Sequence, residues 1–223
     1  MRLFAAAILA LMGEPSLAQD ATNPVAAPPA DAADTGRDRI TVAIGAATVP
    51  EYEGAGSNQI IPAAAVIGRV SGIDFFTRGT QLYVDLFPDR PGVGTNLELG
   101  PVAGVRLDRT NRVDRRPVRA LGRIDTAIEL GGFVGVSRTG VVTSDYDVLT
   151  ARVAYLRDVS DTHDSFIVTP QVNYTTPLST RTLVSIGASA DYVGRGYGRT
   201  YFSVDAPGSA ASGLPPYDAA RRG

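Results

Sequence analysis

The stretch Asn96–Asp108, NLELGPVAGVRLD, sets Leu97, Leu99, Ala103, Val105 and Leu107 on one parity and Glu98, Gly100, Gly104, Arg106 and Asp108 on the other. A period of two is the mark of a strand, whose successive side chains point to opposite faces. The pattern recurs along the chain. RITVAIGA (39–46) opposes Ile40, Val42 and Ile44 to Thr41, Ala43 and Gly45. AIELGGFVGV (127–136) opposes Ile128, Leu130, Val134 and Val136 to Ala127, Glu129, Gly131 and Gly135. SFIVTPQVNYT (165–175) and TLVSIGASADY (182–192) behave alike. Several alternations outrun the ~5–6 residues usual in globular sheets and reach the ~9–11 that a tilted bilayer-crossing strand needs. The second parity holds glycine, serine and charges, with little to fill a dry core.

The connections sort by length. With Arg39 at the periplasmic side, VPEYEGAGSN (49–58), RTNRVDRRPVRALG (109–122) and RDVSDTHD (157–164) face outward, while RVSG (69–72), SRTG (137–140) and TPLST (176–180) are the tight turns of the other end. Long outer loops and short periplasmic turns are the habit of outer-membrane barrels. The alternation blurs from Phe75 to Leu86, which leaves the facing of Asp74 and Asp85 undefined, and FPDRPGVGT (87–95) is long for a periplasmic turn. The predicted fold is all-β: an antiparallel transmembrane β-barrel of about nine or ten visible strands, where a closed bacterial barrel has an even number. A soluble periplasmic β-sandwich is the competing reading.

The N-terminus carries export signals. Met1-Arg2 is a short positive region, LFAAAILALM (3–12) an apolar core, and Ser16–Ala18 a small-residue cleavage site, so residues 1–18 read as a signal peptide cut after Ala18. Residues 19–38, rich in Ala, Pro and Asp, read as a flexible linker, and residues 39–223 as the barrel domain. The chain has no cysteine, which excludes disulfides, zinc–thiolate sites and cysteine nucleophiles. Its basic residues are all arginine and its net charge is -2, giving no case for nucleic-acid binding.

Few residues invite chemistry, and no catalytic, cofactor or metal residue is expected. His163, the only histidine, lies in DTHDS beside Asp161 and Asp164 and reads as a polar loop residue. Glu98, Arg106 and Glu129 read as lumen-lining ion pairs rather than acid/base groups. In GRGYGR (194–199) the glycines lack the strand–helix setting of a phosphate loop, since TYFSV (200–204) reads as strand. Seven arginines fall between Arg106 and Arg123. Of these, Arg112, Arg115 and Arg116 suit lipopolysaccharide phosphates in an outer loop; the alternative is a solvated loop with internal Arg–Asp pairs. Tyr52, Phe75, Phe76, Tyr83, Phe87, Tyr155, Tyr174, Tyr192, Tyr201 and Phe202 fall mostly near strand ends, as interfacial girdles do.

GAATVPEYEGAGSNQIIPAAAV (45–66) resembles the opening strand and first loop of the MipA/OmpV outer-membrane proteins, through Pro50, Tyr52, Gly54, Ser57 and Pro62. LELGPVAGVRL with Gly100 and Pro101, ALGRIDTAIELGGFVG with Glu129 and Gly131, YGRTYFSV with Tyr201 and Phe202, and SGLPPYDA extend the resemblance in order to about residue 219. The resemblance implies a barrel without known catalysis, embedded in outer-membrane lipid and lipopolysaccharide. It also implies a scaffold that bridges a lytic transglycosylase and a penicillin-binding protein, or else a member linked to osmotic response, adhesion or permeability. A porin-like channel for small solutes is the runner-up. In the family GLPPYDA is followed by further strands and a terminal aromatic, so AARRG at the end of this chain reads as a truncation or frameshift with the last strands missing.

Overall fold

The computed structural model describes residues 38–50, 52, 55–56, 58–90, 92–107, 109, 113, 115–179 and 182–219. Residues 1–18 expected as a signal peptide, nearly all of the expected linker, Gly54, Arg112 and the last four residues lie outside them. In chain order the elements are β1 (Arg39–Pro50), β2 (Asn58–Val70), β3 (Ile73–Arg78), β4 (Gln81–Asp85), β5 (Gly94–Arg106), α1 (Arg116–Ala120), β6 (Ala127–Thr139), β7 (Val148–Asp158), β8 (Phe166–Pro177), β9 (Leu183–Ser189), β10 (Tyr192–Val193), α2 (Arg195–Phe202) and α3 (Ala206–Ser212). Every strand pairs antiparallel with its sequence neighbour from β1 to β8, and β9 and β10 both pair with β8. Among the described residues β1 pairs only with β2, so the sheet has two edges. It is strongly curled: Arg152 on β7 lies 4.7 Å from the ring of Phe76 on β3.

The parities of the sequence become the two faces. Ile44 and Ile60 are 86% and 77% exposed, and Leu97, Leu99, Leu130, Val134, Val153, Val172 and Ile186 share that outer surface. An apolar face this extensive has no place in water; in a bilayer it is the lipid contact. From Leu130, level with Arg157, to Arg138, level with Leu149, β6 crosses this belt. At ~3.4 Å per residue that is about 27 Å, and a tilt of about 40° leaves roughly 21 Å along the normal, near the ~25 Å band of membrane barrels. The 13-residue β5 and β6 stay in one uninterrupted register over their whole length, from Gly94↔Thr139 to Arg106↔Ala127.

The inner face is fuller than its glycines and serines foretell. Phe76, Tyr83 and Phe133 all point inward and pack with Val102, Ala154 and Leu156. Phe76 stacks on Tyr83 at 5.0 Å and Phe133 meets Tyr83 edge-on at 5.1 Å. The blurred stretch proves to be a short hairpin, β3 and β4 joined through Gly79 and Thr80, with Gly79 at φ 56°. It puts Asp74 and Asp85 opposite each other on the inner side.

Two expectations about local structure fail. The connection after β6 runs from 140 to 147, longer than the tight SRTG turn expected there. TYFSV is not a strand: Arg195–Phe202 is the helix α2. Tyr197 and Tyr201, four apart, make one buried helical face against Ile167. That burial outweighs the β-preference of tyrosine and phenylalanine, which is a preference for packing surroundings more than for a backbone shape.

Candidate functional site

The buried charges form two constellations inside the curl. At the end that carries the long 107–126 connection, Arg106 from the last position of β5 donates through Nε to Glu129 Oε1 at 2.8 Å. Its Nη1 donates to the Tyr197 hydroxyl at 3.1 Å, and its guanidinium lies 5.0 Å from that ring. His163 Nε2 meets the same Glu129 oxygen at 3.3 Å. The histidine is edge-on to Tyr197 at 5.3 Å and close to Tyr201 at 5.9 Å. The β7–β8 connection delivers it. Asp158 accepts the backbone N–H groups of Ser160, His163 and Asp164, folding the loop so that the ring turns inward.

His163 is a loop residue, as its sequence reads, but a buried one: its side chain is 0% exposed and that of Glu129 2%. The one sign in the sequence that α2 would lie across the loop is the i, i+4 pair of tyrosines in GRGYGRTYF. A histidine–carboxylate pair can move a proton. Here both groups are sealed beneath two tyrosines, and the arrangement clamps α2 to the barrel wall. The glycines of GRGYGR serve that contact. A Cβ at Gly194 would strike Ser165 Oγ, and one at Gly196 the His163 carbonyl. A strand and a helix do flank this motif, contrary to the sequence reading, and its Gly194 and Gly196 are taken up by close packing against the 163–165 loop.

Deeper in the curl, Arg152 donates through Nε and Nη2 to Glu98 Oε2, the Nε bond being 2.7 Å. Its guanidinium sits among Phe76, Phe133 and Tyr83 at 4.7, 5.4 and 5.6 Å. Arg69 pairs with Asp74 through two bonds of 2.8 and 2.7 Å. Of the charges singled out in the sequence, Arg106 and Glu129 pair with each other, and Arg152 and His163 are partners the sequence did not name. Asp89, in the 86–93 connection, has its pKa pushed up to about 6 by burial and then by Asp74, Glu98 and Asp85, against the opposing pull of Arg69.

The motif residues have backbone tasks. Between the pairings Tyr83↔Val102 and Leu86 N–H to Leu99 C=O, the β4–β5 ladder breaks. Pro101 has no N–H to give there, and the Val84 carbonyl occupies the space a Cβ on Gly100 would take. The Tyr155 carbonyl fills the same space at Gly131. Val66 donates its N–H toward β3, to Thr77 Oγ1. Pro62 shares that parity, so its missing donor falls on the β3 side, where β2 runs beyond the short hairpin and pairs with no strand among the described residues. Pro50 ends β1, and the Tyr52 carbonyl accepts the Ala55 N–H in the turn that follows. Tyr201 is buried in the clamp and Phe202 lies half-exposed beside Tyr197.

In the 107–126 connection, Val113 and Arg109 are buried, and Arg109 donates to the Gly122 carbonyl at 3.1 Å. Arg115 and Arg116 are exposed, and Arg116 lines a crevice of about 370 Å³ with Pro117, Arg119, Ala120, Ala211 and Ser212.

A strongly curled antiparallel sheet, apolar outside and ion-paired inside, defines the class: an all-β protein of the barrel type. The chain belongs to the MipA family, since the family model described as MltA-interacting protein MipA matches residues 42–221. No curated protein and no solved structure gives a significant match.

Proposed function

We propose that the protein is a non-enzymatic scaffold of the bacterial outer membrane that holds a lytic transglycosylase, and with it a penicillin-binding protein, near the cell wall. The family match across residues 42–221 carries this reading, since the family is that of an MltA-interacting protein. The packed inner face supports it over the porin-like alternative, because Phe76, Tyr83, Phe133 and Arg152 pack against one another there. Export after cleavage near Ala18 puts the start of β1 in the periplasm. The 71–72, 86–93, 140–147 and 178–182 connections then share the periplasmic end with it. Leu86, Phe87 and Val93 are exposed on one of these, and they are the surface we assign to the enzyme partner.

The test is binding of a purified MltA-type transglycosylase to the reconstituted protein, before and after Leu86, Phe87 and Val93 are changed to serine. Loss of binding supports the reading; full binding by the triple variant removes this surface from it. No binding by the unaltered protein, together with steady single-channel conductance in planar bilayers, would replace the scaffold with a pore.

At the opposite end, the exposed Arg115 and Arg116 and the α1–α3 crevice suit lipopolysaccharide phosphates, which arginine grips bidentately. Replacing Arg112, Arg115 and Arg116 should admit large hydrophobic antibiotics. Unchanged permeability at equal protein abundance would count against that contact.

A further inference from the structure

The 140–147 connection does not hang below the barrel. Strand alternation continues through Val148 to put Asp147 on the outer parity, and the loop folds back against the outer face of β8. Asp147 accepts the N–H groups of Val141, Val142 and Thr143 at 2.6, 2.9 and 2.5 Å. It also accepts the Tyr174 hydroxyl at 2.7 Å. Thr143 Oγ1 lies 2.7 Å from Thr176 Oγ1 and 2.9 Å from the Tyr174 hydroxyl. Tyr174 belongs to the outward row Arg138–Leu149–Tyr174–Ile186, which crosses four strands at the edge of the apolar belt.

The loop turns Val142, 75% exposed, and Tyr146, 62% exposed, away from the wall, with Ser144 and Asp145 exposed beside them. Exposed Arg138 lies on the same row. An aromatic ring, an aliphatic group and an arginine at the rim of an apolar belt match the headgroup zone, where tyrosine rings settle and arginine meets phosphate.

We infer that the 140–147 loop is a membrane anchor, seating Val142 and Tyr146 in the phospholipid headgroup region of the leaflet at that end of the barrel, with Asp147 as the residue that positions it. The occupant is phospholipid because the surface is continuous with the apolar face. The inference rests on the barrel reading above.

The chain has no tryptophan, so a single introduced one reports its own surroundings. Tyr146→Trp and, separately, Val134→Trp in the middle of the outer face are reconstituted into phosphatidylethanolamine–phosphatidylglycerol vesicles. The vesicles carry a spin label either high on the acyl chain or near its end, and iodide serves as the aqueous quencher. Tyr146→Trp should be quenched most by the shallow label and shielded from iodide, and Val134→Trp most by the deep label. Asp147→Ala added to Tyr146→Trp should shift quenching from lipid label to iodide; no shift would remove the positioning role of Asp147. If Val134→Trp meets the deep label while Tyr146→Trp is open to iodide and untouched by either label, the anchor is refuted and the barrel stands. If Val134→Trp also misses the deep label, the barrel reading fails and the anchor falls with it.

Discussion

Replacing Arg152 with methionine tests whether the inner face is dry. Arg152 and Glu98 keep only 10% and 9% of their side-chain surface exposed, and three aromatic rings lie within 5.6 Å of the guanidinium. Methionine fills most of the arginine volume but leaves the Glu98 carboxylate buried without its partner. Breaking such a buried pair from one side costs about 3–5 kcal/mol, and a desolvated cation–π contact adds up to ~2 kcal/mol. An exposed pair would be worth at most ~1 kcal/mol. The measurement is equilibrium urea unfolding of the protein in lipid vesicles, followed by far-ultraviolet ellipticity. At an m-value of ~2 kcal/mol per molar, the expected loss lowers the midpoint by roughly 1.5–3.5 M. The double change Glu98→Gln with Arg152→Met removes the stranded charge and should recover most of that stability. A midpoint drop under about 0.5 M for Arg152→Met alone would show a hydrated lumen, refuting the dry packing and reviving a water-filled pore.

Glu129→Ala should release α2, because it strips both Arg106 and His163 of their shared carboxylate; limited proteolysis should then cut within 195–202, where the parent protein resists. Gly131→Ala should fail to assemble, since the new methyl group meets the Tyr155 carbonyl; a heat-modifiable gel band at parental abundance would contradict this. Asp89 favours the proton in the folded state, its pKa raised from 3.8 to about 6. Its contribution is thus fully present below pH 3.8 and is lost as pH rises through 6. Asp89→Asn should flatten that part of the stability–pH curve, read as urea midpoints. Asp147 behaves oppositely: burial would raise its pKa, but hydrogen bonds from Thr143, Val141, Tyr174 and Val142 hold it well below the usual carboxylate range. The 140–147 loop should therefore keep slow amide exchange as pH falls through ~4, and Tyr174→Phe should weaken that protection.

Period two was legible because a strand writes its two faces into alternate residues wherever one face is apolar. Leu97 to Leu107, Ile128 to Val136 and Val184 to Ile186 announced the sheet, its outer surface and the antiparallel order. Glu98, Arg106 and Glu129 announced an inner face bearing charge. Local pattern could not say which charges meet, because Arg152 reaches Glu98 only when β5, β6 and β7 lie side by side in register, and it reaches Phe76 only when the sheet curls. It could not foresee the burial of His163 either: that depends on a turn folded by Asp158 and on α2, a helix stabilised by tyrosines that packing alone rewards. Nor could it show the 140–147 loop turning outward, which depends on Tyr174 and Thr176 of β8 standing beside Asp147. Alternation along the chain determined the wall of this protein; contacts between residues distant in sequence, formed only once the sheet curls, decided what that wall encloses and what lies against it.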